Sequence, residues 1–177
     1  VLGKISKVSI SPKSYNNKFG VPLSLFNLKE NDEYGILEVG MDKKGEIDYL
    51  SKIVEPNVGV ITNINYAHAQ NFKNIKQIAL AKSEIINNIR PNGFVILNAD
   101  DNFFKLHKRI AQGKNLKVIS FGIKCLTSNI KLTDIKPYRK KFKINISFNN
   151  KNKYFLLSND FQNNIYNILS ALAVISI

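Results

Sequence analysis

A mostly parallel sheet covered by helices on both faces, with a small antiparallel sheet appended, is the α/β fold this sequence predicts. Three observations carry it. Short apolar runs at residues 34–39, 58–61, 94–97 and 116–121 alternate with stretches of helical periodicity. Each run is too apolar to face water, which is the mark of parallel strands buried on both faces. From Ser128 the period drops to two, through residues 129–135, then Phe142, Ile144, Ile146 and Phe148, then residues 154–157, as antiparallel strands require.

Taken in order, residues 3–10 alternate loosely and predict a short strand. Pro12, Asn16, Asn17, Gly20 and Pro22 then predict a loop, and residues 23–28 a helical turn that breaks at 30–33. The run 34–39 is interrupted near its end by Glu38 and stopped by Gly40. Ile47, Leu50 and Ile53 belong to a helix that ends before Pro56, and the strand 58–61 leads into Thr62 and Asn63. Ile75, Ile78, Ala79, Ile85, Ile86 and Ile89 have the spacing of one buried helical stripe. A turn at 91–93, a strand at 94–97 and the polar residues Asn98, Asp100 and Asp101 follow, then a helix over 103–111. The last two antiparallel strands are joined by a turn at 149–152. Asn163, Asn164 and Asn167 introduce a final helix over 165–177.

Composition narrows the function. With 177 residues the chain can bury a real core. The single cysteine, Cys125, excludes an internal disulfide framework and fits a reducing compartment. No stretch resembles a signal peptide, and the apolar run 168–177 is too short to span a bilayer. A cytoplasmic protein without membrane insertion, and a monomer, is expected. The formal charge of +13 invites a nucleic-acid reading. Its distribution argues against one, because the cations are scattered, almost all lysine, and densest only at Arg139, Lys140, Lys141 and Lys143. Abundant Lys, Asn and Ile look instead like the bias of an AT-rich genome. The chain starts without methionine and stops inside an apolar, helix-like run without a cap, so a fragment is expected.

Lys82 falls on the apolar stripe, seven residues after Ile75 and seven before Ile89. A bare ammonium buried there costs several kcal/mol or loses its proton. Such a lysine can serve as base or nucleophile, or take up carbon dioxide as an anionic carbamate that ligates a metal. The plainer alternative is that it snorkels outward and pairs with Glu84 or another carboxylate. Glu38, the pair Thr62 and Asn63, and the pair Asn98 and Asp100 each follow a strand. Right-handed winding would set them on one rim, where such sheets bind ligands; as single residues they are ordinary turn formers. His68 follows the same rim by a short loop. With Glu38 and a Lys82 carbamate it would make a hard site suited to magnesium. His107, in a lysine-rich helix, is expected at the surface.

The blocks NNKFGVPLSL from Asn16, EVGMDKKGEIDYL from Glu38, TNINYAHAQNF from Thr62, AKSEI from Ala81, LNADD from Leu97 and NNIYNILSALA from Asn163 resemble the ATP-dependent Mur ligases. Within that family they are most similar to the type that adds D-alanyl-D-alanine to UDP-N-acetylmuramoyl tripeptide. The resemblance covers nearly the whole chain, in order, and implies a P-loop NTPase-like central domain. Residues 1–125 would be its parallel α/β part, 126–160 the antiparallel strands and 161–177 the start of a closing helix. The N-terminal UDP-binding domain, the glycine-rich phosphate loop and the C-terminal domain would lie outside the sequence, leaving this stretch inactive by itself.

The implied chemistry is an acid–amino-acid ligation through an acyl phosphate, with ATP and two magnesium ions. The resemblance assigns one magnesium to Glu38 and the other to His68 with carbamylated Lys82, and these three residues carry catalysis. It gives Asn164 and Asn167 to the nucleotide, with Asn98 and Asp100 placed beside it. Asn16 and Asn17 face the muramoyl peptide, with Thr62 and Asn63 on the same substrate side. The family's His-Asn pair reads Asn163-Asn164 here, and its Gly-Ala-Asn reads Gly40-Met41-Asp42. A related ligase that adds glutamate to folate, or another amino acid to a muramoyl peptide, would share Glu38, His68 and Lys82. A basic nucleic-acid-binding module would owe nothing to them.

Overall fold

The computed structural model describes residues 2–4, 6–66, 71–158 and 164–177. The chain forms two compact units, one of residues 1–57 and 64–93, the other of residues 58–63 and 94–177.

In the first unit, β1 (Val8–Ile10) and β2 (Tyr34–Ile36) pair in parallel, with Val8 opposite Tyr34 and Ile10 opposite Ile36. The strand expected over 34–39 stops at Ile36 because the following amides leave the ladder. That of Glu38 donates to Ser11 Oγ at 3.1 Å, and that of Gly40 to the Asn16 carbonyl at 2.7 Å. The run is also not buried as expected: Tyr34 and Ile36 are 44% and 46% exposed, since two short strands offer too little face to bury. The loop expected through Gly20 and Pro22 is instead the start of α1 (Gly20–Phe26). Asn17 Oδ1 accepts the amides of Phe19 and Gly20 at 3.0 Å each, and Pro22 sits in the first turn, where a missing N–H costs nothing.

Helix α2 (Glu46–Val54) buries Ile47, Leu50 and Ser51 and ends at Glu55, which takes a left-handed φ of 45° ahead of Pro56. Helix α3 (Ile75–Ser83) buries Ile78, Ala79 and Ala81. The single helix expected over 75–89 tightens to a 3-10 turn at Glu84–Asn88, whose polar side chains are drawn onto α2.

The second unit is one six-stranded sheet in the order β3-β4-β5-β6-β7-β8, made of β3 (Val58–Ile61), β4 (Phe94–Asn98), β5 (Lys117–Gly122), β6 (Ile130–Tyr138), β7 (Lys141–Phe148) and β8 (Lys151–Ser158). The first four strands are parallel, and β7 runs antiparallel to both of its neighbours, β6 and β8. The antiparallel part is thus joined edge to edge with the parallel part, through Phe121 opposite Ile130 and Gly122 opposite Lys131. Both residues of the first pair are fully buried in the core that α5 (Ile165–Ile175) covers, which is what holds the two parts in one sheet.

That core sets Ile96, Phe121, Ile130, Ile144 and Ile146 against Ile165, Leu169, Leu172 and Ala173 of α5. Val95 and Leu97, which alternation sends to the other face of β4, are equally buried, so β4 is covered on both sides. Helix α4 (Phe104–Gly113) packs on β4 and β5. The β7–β8 hairpin turns on Asn149 and Asn150, with φ of 44° and 69°, the left-handed pair that a two-residue turn needs and asparagine tolerates. No helix of the described residues is long and apolar enough to cross a membrane.

His107 departs from expectation. It is 2% exposed, because α4 turns His107 and Ala111 inward while Lys105, Lys108 and Arg109 fall on its other side. The lysines that made the helix look superficial occupy one face only.

Candidate active site

Glu38 is an exposed carboxylate on the segment that leaves β2, and Asn16 holds it. Asn16 Nδ2 donates to Glu38 Oε1 at 2.8 Å while the Asn16 carbonyl accepts the Gly40 amide at 2.7 Å. A Cβ at position 40 would come within 2.9 Å of Asn16 Cγ, so glycine lets the asparagine lie against this bend. An oriented, solvent-facing carboxylate with a second-sphere amide is a donor set that fits a hard cation.

Beyond it the chain is fixed by carboxylates on backbone amides. Glu46 accepts the amides of Asp42 at 2.6 Å and Lys43 at 3.0 Å, and these bonds hold its carboxyl below the ordinary value. Glu84 accepts the Gly45 amide on both oxygens, at 2.9 and 3.0 Å, and the Asp48 amide at 3.2 Å. Gly45 has φ 90°, so its N–H is turned out of the helix that it precedes. Asn88 Nδ2 adds bonds to Asp48 O, Asp48 Oδ1 and Ser51 Oγ between 2.8 and 3.1 Å. Glu84, which the sequence offers as a partner for Lys82, is engaged at the N-terminus of α2, where a negative charge is favoured. Lys82 itself, two residues earlier on α3, is half-buried. His68 lies outside the described residues.

In the second unit, Thr62 and Asn63 are exposed beyond β3. Asn98, 8% exposed at the end of β4, donates from Nδ2 to the Thr62 carbonyl at 3.1 Å and accepts the Asp100 amide on Oδ1 at 3.0 Å. Asp100 is wrapped by its own chain. Its oxygens accept the amides of Ile123 at 2.6 Å, Cys125 at 2.7 Å and Lys124 at 3.0 and 3.2 Å, and the Tyr166 hydroxyl at 3.0 Å. Partial burial pushes this carboxyl upward, but the donated hydrogen bonds outweigh it and hold the group below its ordinary 3.8. Asn164, at the N-terminus of α5, and Asn167 are both exposed and three residues apart, the spacing of one helix face. Asn163 lies outside the described residues.

Thr62, Asn98 and Asp100 follow neighbouring parallel strands of the six-stranded sheet, whereas Glu38 follows β2, whose ladder is with β1. One further participant carries no clear mark in the sequence, and another makes a contact that the sequence does not record. Tyr166 is one polar tip in an apolar helix, and Asn16, assigned by resemblance to the substrate side, turns its side chain to Glu38.

A parallel α/β sheet extended by an antiparallel meander is the fold of a known class of ATP-dependent ligase domains, and the chain belongs to one of them, the Mur ligase middle domain family, whose profile matches residues 1–175. Among curated proteins it is similar to the UDP-N-acetylmuramoyl-tripeptide–D-alanyl-D-alanine ligase of Buchnera aphidicola subsp. Acyrthosiphon pisum, 39% identical over 142 residues, which is 75% of this chain and 31% of that one. A crystal structure of MurF from Acinetobacter baumannii superposes with a TM-score of 0.87 at 29% identity, covering 99% of this chain and 37% of that one. A MurF ligase from Thermotoga maritima, solved in complex with ADP, gives 0.83 over 98% of this chain and 40% of that one; at 24% identity it shows the fold alone. The chain spans about a third of the length of the curated relatives it matches.

Proposed function

We propose that the chain is the central part of an ATP-dependent ligase that joins D-alanyl-D-alanine to UDP-N-acetylmuramoyl tripeptide, with a uridine-nucleotide domain and a dipeptide-receiving domain supplied by further sequence. The observation that carries this reading is the Glu38 carboxylate, oriented by Asn16 within the EVGMDKKGEIDYL block, on a fold whose curated relatives bear that activity in their names. ATP bound with two magnesium ions supplies the phosphoryl group that activates the peptide carboxylate for attack by the dipeptide amine.

The chain's own groups then divide the work. Glu38 offers an oxygen to one cation while Asn16 holds the other oxygen. Lys82, as a carbamate, offers anionic oxygen to the second cation together with His68, and Glu84 fixes the end of its helix. Asn164 and Asn167 face the nucleotide. Asn98 and Asp100 shape the rim beside it, Asp100 through its own chain rather than by direct contact, since all its acceptor positions are engaged. Asn17, Thr62 and Asn63 are assigned to the peptide side, with Asn17 also capping α1. The same reading makes the protein a cytoplasmic monomer with two small substrates, no nucleic-acid partner and no membrane insertion.

The test is phosphate release by the full-length protein with magnesium and ATP. Release that needs both the muramoyl tripeptide and D-alanyl-D-alanine supports the reading. Release driven by glutamate with a folate, or by a single amino acid with a muramoyl peptide, replaces it with a sister activity.

A further inference from the structure

We infer that Asp100 is a positioning residue that, through the Tyr166 hydroxyl, sets the orientation in which α5 presents Asn164 and Asn167. The inference rests on the reading of those two asparagines as nucleotide contacts.

Three elements meet at this carboxylate, and a fourth is tied in through Asn98. Asn98 ties the end of β4 to the Thr62 carbonyl beyond β3 and holds the Asp100 amide, so the backbone under Asp100 is fixed on both sides. The amides of Ile123, Lys124 and Cys125, beyond the end of β5, close on its oxygens. Tyr166 reaches it from the first turn of α5. Position 122 is crowded: a Cβ there would stand 2.9 Å from Ser128 Oγ, 3.0 Å from Asp100 Oδ1 and 3.2 Å from its Cγ. Glycine at the end of β5 is thus what admits the carboxylate into the loop.

Ile165, Leu169 and Leu172 bury α5 against the sheet, but apolar contact is non-directional and leaves the helix some freedom to turn about its axis. A hydrogen bond is directional. At about 100° per residue, Asn164 and Asn167 lie within about 60° of each other, while Tyr166 stands about 160° from the first and about 100° from the second. It is a handle on the sheet side whose grip fixes the outward face. The pair is built to stay in one state. Burial and the neighbouring carboxylate push the Tyr166 phenol above its ordinary 10.0, so it remains a donor, and the Asp100 carboxyl remains ionised. Direct contact between Asp100 and a polyphosphate would set like charges together. Wrapped in amides, the carboxylate is kept from that role and suited to this one.

The experiment is titration of the full-length protein with ATP and magnesium, followed by heat, beside a separate titration with UDP-N-acetylmuramoyl tripeptide. Asn164→Ala and Asn167→Ala serve as reference variants. Tyr166→Phe keeps the ring and removes only the donor, so folding is preserved. It should weaken ATP about tenfold, the scale of one hydrogen bond to an ionised group, and leave tripeptide affinity unchanged. Gly122→Ala, which crowds the carboxylate together with Ser128 Oγ, should do the same. If Asn164→Ala weakens ATP and Tyr166→Phe does not, the inference is wrong and the nucleotide reading stands. Equal loss of ATP and tripeptide in Tyr166→Phe means general loosening and also overturns it. If both asparagine variants bind ATP like the parent, the nucleotide reading fails and takes the inference with it.

Discussion

Replacing Glu84 by alanine removes the carboxylate that closes the N-terminus of α2, 39 residues away in sequence. Gly45 loses an acceptor shared between two oxygens at 2.9 and 3.0 Å, and Asp48 one at 3.2 Å. A hydrogen bond to an ionised group contributes about 1.5–3 kcal/mol, and the lower end applies here because water reaches Gly45. The charge at the start of the helix adds about 0.3–1 kcal/mol. The expected loss is therefore about 2 kcal/mol, or a fall in melting temperature of about 4–8 °C for a chain of this size. Glu84→Gln keeps an acceptor without the charge and should lose about half as much. Urea unfolding followed by far-ultraviolet circular dichroism measures both. In about 1 M salt, where the Debye length is about 3 Å, the parent and Glu84→Gln should converge while Glu84→Ala stays apart. A Glu84→Ala midpoint within about 0.5 kcal/mol of the parent would make Glu84 an ordinary surface residue and refute the reasoning.

Three other outcomes are expected. Lys82→Ala in the full-length protein should abolish phosphate release, and added formate or acetate should restore part of it by standing in for the carbamate; no recovery at saturating carboxylate would remove the carbamate from the proposal. Gly40→Ala presses a methyl onto the Asn16 amide and should lower magnesium affinity about 10–100-fold, read by titrating activity against magnesium, with unchanged affinity counting against Asn16 as the group that holds Glu38. Asp100 titrates below its ordinary 3.8 when folded, so the unfolded chain binds the extra proton first as pH falls. Its contribution is complete above that value and is lost as pH drops through the folded pKa, so the urea midpoint should fall as pH drops below about 5, by less in Asp100→Asn.

Much of this fold is legible because buried strands and helical stripes leave periodic marks. The runs at 58–61, 94–97 and 116–121 correspond to β3, β4 and β5 almost residue for residue. Where sequence and structure part, the reasons are local. Asn17 looks like a loop former and is one, yet its oxygen starts a helix three residues later. Residues 37–39 are apolar enough for a strand, but Ser11 and Asn16 take the amides that a ladder would need. A helix running as far as Ile89 ignores Glu84 and Asn88, whose side chains bond to α2, and no periodicity records a bond across 39 residues. At the site, sequence places polar residues after strands correctly but cannot tell which of them meet a ligand and which meet their own backbone. Asn98 and Asp100 both bond to backbone, a bond that no pattern in the sequence records.

The path of the chain between its two compact units has a consequence for anyone who would take the protein apart. It changes unit at 57/58, returns at 63/64 and leaves again at 93/94, so β3 is an excursion with foreign sequence on both flanks. Yet β3 is the ladder partner of β4 along its whole length, from Val58 opposite Phe94 to Ile61 opposite Leu97. No single cut yields either unit whole. A gene trimmed to residues 94–177 would leave β4 with a bare edge, inviting association with another copy. Separating the units requires splicing residues 58–63 back in ahead of Phe94.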